Sequence, residues 1–178
     1  MKNPSLCLFV TFVSVFLTKA EVEVTITNCS PPNSHASNVE FEYSPNPAVL
    51  GEKLTINGTC DYSIDDESPF YHLSGNFGII PLVDHTDTLC QKTSVDLPLD
   101  LGELVVNGLS GGCPLKAGPV GLSVVLPELV FLPGTLKAEL NATSSASGNT
   151  ELCIDIAIKI SIQDDDGSQK PKRISKTN

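Results

Sequence analysis

Residues 153–163, CIDIAIKISIQ, decide the fold. Ile154, Ile156, Ile158, Ile160 and Ile162 occupy one phase of a two-residue period, and Asp155, Ala157, Lys159 and Ser161 occupy the other. Successive side chains of a β-strand point to opposite faces, so the pattern puts five isoleucines on one side of a sheet and leaves the other to water. Branched side chains also suit a pleated, half-buried surface better than a helix. Cys153 shares the polar phase, so its sulfur leaves the start of the strand on the face away from the isoleucines.

The same alternation recurs on both sides of the chain. EVEVTIT at 21–27 carries Val22, Val24 and Ile26 in phase, and NVEFEY at 38–43 carries Val39, Phe41 and Tyr43. EKLTING at 52–58 has Leu54 and Ile56 on one face and Asn57 on the other. TLKAELN at 135–141 sets Leu136, Ala138 and Leu140 against Lys137, Glu139 and Asn141. NFGIIPLV at 76–83, ELVVN at 103–107 and VGLSVVL at 120–126 are further strands, divided by turn formers such as SPNP at 44–47 and LPG at 132–134. No long 3.6-residue period appears. Roughly eight strands at this spacing predict an all-β antiparallel sandwich of two sheets, each with one apolar face.

Residues 1–20 have the plan of a secretory leader: Lys2, an apolar run from Leu6 to Leu17, then Thr18-Lys19-Ala20 with small residues at the cleavage positions. The run is shorter than the roughly 20 residues a bilayer span needs. The expected mature chain is one domain over residues 21–163, secreted or delivered to a lysosomal or endosomal lumen, without a membrane anchor. Residues 164–178, DDDGSQKPKRISKTN, have no apolar period and read as a disordered polar tail. The mature chain holds nine basic against 21 acidic residues, a formal charge of −12, which excludes the basic stripe that nucleic acid demands.

Once Cys7 leaves with the leader, Cys29, Cys60, Cys90, Cys113 and Cys153 remain. An oxidising compartment implies two disulfides and one leftover thiol, and the spacing leaves the pairing open. There is no Cys-x-x-Cys, and His35, His72 and His85 are scattered, so neither a metal site nor a cofactor is expected. GLSGG at 108–112 imitates a nucleophile elbow around Ser110, but Cys113-Pro114 follows where a helix is required and no histidine comes later. No catalytic residue is expected, and the chain reads as a binding protein rather than an enzyme. Of three glycan acceptor patterns, that at Asn28 contains Cys29 and precedes Pro31, whereas Asn57 and Asn141 sit on outward phases and are the expected glycosylation sites.

CPLKAGPVGLSVVLPELVFLPG at 113–134 contains only two charged residues, Lys116 and Glu128. It is apolar on both phases and broken by prolines, so it must cover a core or a ligand. With Asn28-Cys29, YSPNPAVLGEKLTINGTC at 43–60, TLC ending at Cys90, CPLKAG at 113–118, LPGTLKAEL at 132–140 and ELCIDIAIKI at 151–160, it resembles the ML (MD-2-related lipid-recognition) domain family. Its phosphatidylglycerol/phosphatidylinositol transfer and Niemann-Pick type C2-like members are the nearest in pattern. The resemblance spans most of residues 25–162.

That resemblance implies an immunoglobulin-like sandwich whose sheets part to hold a lipid. It implies the pairs Cys29 with Cys153, closing the chain ends, and Cys90 with Cys113, tying two strands near the cavity mouth. Cys60 is left without a partner, and the 22 residues between Cys90 and Cys113 look like an insertion at the mouth. Strand phase and resemblance together put Phe41, Phe77, Ile80, Leu82, Val124, Leu126, Leu129, Phe131, Leu136 and Ile156 on the cavity wall, with PELVFLPG at 127–134 as its lip. The expected function is binding or transfer of a sterol or a phospholipid acyl chain by a monomer, through transient contact with a membrane or an acceptor protein. The competing expectation is a lipid-dependent co-receptor of the same fold.

Overall fold

The computed structural model describes residues 19–128 and 133–163. The expected leader up to residue 18, the polar tail, and the wall residues Leu129 and Phe131 therefore lie outside the described residues.

Ten strands form, not eight. In order they are β1 (Lys19–Asn28), β2 (Ala36–Ser44), β3 (Lys53–Tyr62), β4 (Phe70–Phe77), β5 (Ile80–Thr88), β6 (Thr93–Asp96), β7 (Glu103–Leu109), β8 (Gly118–Glu128), β9 (Gly134–Thr143) and β10 (Thr150–Gln163). Two differences account for the count. NFGIIPLV is not one strand: Gly78-Ile79 turns the chain so that Phe77 faces Ile80 across the β4–β5 pair. The stretch between Cys90 and Cys113 is not a plain insertion: beside β7, the expected strand at ELVVN, it holds the unexpected β6, hydrogen-bonded to β7.

The strands make two five-stranded antiparallel sheets, ordered β1-β10-β9-β4-β5 and β2-β3-β8-β7-β6. Registers keep the apolar phases together. In the first sheet Val22, Val24 and Ile26 lie opposite Ile160, Ile158 and Ile156; in the second Leu54 and Ile56 lie opposite Leu126 and Val124. The two inner faces merge in one core that includes Tyr71, Leu73, Val106, Leu140 and Ile158. A one-residue slip of β10 would turn Ile154, Ile156, Ile158 and Ile160 to water together, which is why its alternation fixes the register.

The two ends of the sandwich differ in chemistry. The connections 29–35, 63–69, 89–92, 110–117 and 144–149 gather at one end, where both disulfides form: Cys29–Cys153 and Cys90–Cys113. Three buried polar residues, Asp66, Ser144 and Glu151, belong to the same end. The Asp66 carboxylate accepts the Ser68 N–H at 3.2 Å, the Ser145 N–H at 3.0 Å and the Ser145 hydroxyl. Its backbone exchanges two hydrogen bonds with Leu115, at 2.9 and 2.7 Å. Glu151 accepts the His35 N–H at 2.6 Å and the Ser147 hydroxyl at 3.0 Å, and His35 Nδ1 stands 2.9 Å from Oε1. Loops from both sheets are thereby fastened to buried carboxylates, and each bond to a charged acceptor is worth about 1.5–3 kcal/mol. The connections 45–52, 78–79 and 97–102 gather at the opposite end, which has neither disulfide nor buried carboxylate among the described residues.

Candidate functional site: an apolar cavity at the open end

A cavity of about 340 Å³ lies between the sheets at the unfastened end. Phe77 ends β4, Ile80 and Leu82 start β5, Leu126 ends β8, Leu136 starts β9, and Ile158 and Ile160 complete β10; Leu97, Leu99 and Leu101 enter from the β6–β7 connection. Pro127 and Glu128 close the lining, and Glu128 is its only charged residue. Inward-facing residues of both sheets, several of them also part of the core, leave a void between them here. An apolar void of this kind offers contact area and no chemistry.

Two glycines set the positions of aromatic rings, one at each end of the sandwich. A methyl group on Gly134 would stand 2.5 Å from Phe77 Cζ, so the Phe77 ring packs on bare backbone at the start of β9. At the fastened end Gly58 does the same for Phe41, with 3.0 Å to the ring.

Of the expected wall residues, Phe77, Ile80, Leu82, Leu126 and Leu136 line this cavity. Val124 and Ile156 are buried in the packed core instead, 4% and 3% exposed, one step of alternation deeper than the void. Phe41 is corrected to the other end, where it lines a separate space of about 40 Å³ with Tyr62, Leu115 and Cys60. The Cys90–Cys113 bond is also at that end and not beside the mouth, because β5 runs away from the mouth before it reaches Cys90. The reading missed Leu97, Leu99, Leu101, Ile158 and Ile160. Ile158 and Ile160 share the phase of Ile156, and DLPLDL at 96–101 alternates as plainly as any strand.

Ser110 Oγ accepts the Gly121 N–H at 3.0 Å, fastening the β7–β8 corner. Cys60 is a free, half-buried thiol, pushed up in pKa first by burial and then by the Asp61 charge, which disfavours its thiolate form. Asp66 and Glu151 are pushed up by burial, but their hydrogen bonds outweigh it and hold both carboxyls below the usual range. Asn57 and Asn141 stand on the outer faces, where Asn57 reaches Glu42 at 3.4 Å and Asn141 donates to Glu139. Among the described residues no cluster of histidine, cysteine and acidic side chains could hold a metal.

Solved structures of low identity are similar to the chain. Chicken MD-1 complexed with lipid IVa is 11% identical, with 80% of this chain and 97% of that one covered and a TM-score of 0.49. A Niemann-Pick type C2 protein from the Japanese carpenter ant is 12% identical over 75% of this chain and 96% of its own, at 0.46. A protein from Archaeoglobus fulgidus is 11% identical over 72% and 98%, at 0.32. No curated protein matches the sequence. The family model of the ML domain matches residues 23–160, and with two antiparallel sheets enclosing an apolar cavity the chain belongs to the ML-domain family.

Proposed function

We propose that this protein binds a lipid by its hydrocarbon part and carries it, chemically unchanged, in the cavity at the open end. The observation that carries the reading is the lining itself: among the described residues, eleven apolar side chains and one carboxylate around about 340 Å³, at the end of the sandwich where those residues include neither disulfide nor buried carboxylate. The volume lies at the lower end of the range for ligand sites, which suits one acyl chain or a sterol tail held with its polar head outward. Ten enclosed methylenes would contribute about 8 kcal/mol gross, a micromolar affinity before ordering costs. The leader-like plan of residues 1–20 supports an activity outside the cytosol, and membership of the ML family agrees with a lipid-recognition role.

The test is native mass spectrometry of the secreted protein before and after organic extraction, with the extract identified. One sterol or phospholipid per chain supports the reading. A protein that carries no adduct and takes up none of the lipids offered would overturn it and favour the recognition-module reading.

A further inference from the structure

Among the described residues six large apolar side chains are exposed, and five of them crown the open end: Val49 in the β2–β3 connection, Ile79 and Ile80 at the β4–β5 turn, Leu99 between β6 and β7, and Ile162 near the end of β10. Ile79 is 98% exposed and Leu99 71%. Leu99 and Asp100 hold φ values of 62° and 55°, a left-handed pair without glycine. A leucine kept in a disfavoured backbone conformation to face water indicates a task for that side chain.

We infer that this rim is a docking surface for a lipid bilayer, and that it selects an uncharged, zwitterionic surface over an anionic one. The inference rests on the cavity being the lipid site, since lipid enters and leaves through this rim. Its form favours a bilayer over a protein. The apolar residues are spread over separate loop tips and strand ends, one or two to each, whereas a protein interface needs a contiguous packed centre. Single protruding side chains enter the headgroup boundary without a complementary surface, as apolar faces of interfacial segments do.

Charge decides which bilayer. Glu52, Asp96, Asp100, Glu103 and Glu128 are exposed around the rim against Lys53, with Lys137 and Lys159 exposed further back on the outer face of β9 and β10. Asp96 and Glu103 are direct partners across β6 and β7, a like-charged pair that a sheet does not favour. Each charge held near an anionic leaflet changes partitioning about fivefold, so the rim's excess acids outweigh a few inserted side chains there and cost nothing on a zwitterionic surface.

The experiment is flotation of the full-length protein with vesicles of phosphatidylcholine alone, or with phosphatidylserine added, at low and high salt. A soluble fluorescent acyl probe reports the cavity in parallel. Phosphatidylcholine vesicles should bind at least tenfold more protein than serine-containing ones at low salt, and salt should narrow the gap. Val49→Ser with Ile79→Ser, neither of which lines the cavity, should cut vesicle binding about tenfold and leave probe binding intact. Asp96→Asn with Glu103→Gln should raise binding to anionic vesicles about tenfold or more. Equal or stronger wild-type binding to anionic vesicles, or an unaltered Val49/Ile79 variant, overturns the inference. Probe uptake with no vesicle binding also overturns it, leaving the rim to a protein partner or a second copy. Vesicle binding without probe uptake sinks the cavity reading and spares the rim.

Discussion

The ring of Phe77 at the end of β4 lies on the backbone of Gly134 at the start of β9, with no room for a Cβ between them. One aromatic wall of the cavity is therefore positioned by the absence of a side chain. Gly134→Ala would force the Phe77 ring aside. We expect a loss of about 1–3 kcal/mol in unfolding free energy, as for other overpacked sites, and a several-fold change in probe affinity. Denaturant melts and probe titration read the two effects.

Burial separates two kinds of wall substitution. Val124 is enclosed in the core, so Val124→Asp should leave the chain largely unfolded. Leu136 is half-buried and borders the void, so Leu136→Asp can hydrate its carboxylate there and should stay folded while losing lipid uptake. Circular dichroism with the native mass measurement distinguishes them. A folded Leu136→Asp that binds as wild type does would contradict the cavity assignment.

The fastened end should fail in strong acid and not before. Asp66 and Glu151 have carboxyl pKa values depressed below those of the unfolded chain. Their contribution is complete above the ordinary carboxylate range of about 4, and it is lost as pH falls through the lowered folded-state values. A flat stability between about pH 7 and 5, followed by a steep decline below about 4, is the expected profile. Asp66→Ala should remove about 2–4 kcal/mol at neutral pH, because the Ser68 and Ser145 N–H groups lose their acceptor.

Cys29 and Cys153 are 124 residues apart in sequence, and their bond joins the connection after β1 to β10. Chain-entropy arguments assign a loop of that length up to about 4–5 kcal/mol. Replacing both by serine should lower the melting temperature by several degrees or more and leave the cavity, at the other end, able to take up probe in the cold. A variant with unchanged melting would show the link to be dispensable.

Alternation made the sheet faces legible in the sequence. β10 is readable because its isoleucines never leave phase, and Leu54, Ile56, Leu136 and Leu140 follow the same rule. The β4–β5 turn was hidden because Gly78-Ile79 is flanked by apolar residues on both sides, so the pattern passes through it unbroken. Phase also says which side of a sheet a residue takes but not how far along the strand the two sheets remain in contact. That is why Val124 and Ile156 were placed on the cavity wall, while Ile158 and Ile160, two and four residues further along β10, line the void. The position of the Cys90–Cys113 bond depended on strand direction, and strand direction could not be followed while β6 was unrecognised.

The uneven fastening of the two ends gives each strand the mechanics of a beam clamped at one tip. β10, at 14 residues, is the longest such beam, and it runs from the disulfide to the rim. A clamped beam bends most at its free tip and least at its root, so the sheets can part at the mouth by flexing while their registers persist near the clamp. Amide hydrogen exchange along β10 should therefore rise steadily from Ile154 toward Ser161 instead of switching on all at once. On that gradient, admitting a lipid is a small elastic excursion of the native state, separate from unfolding.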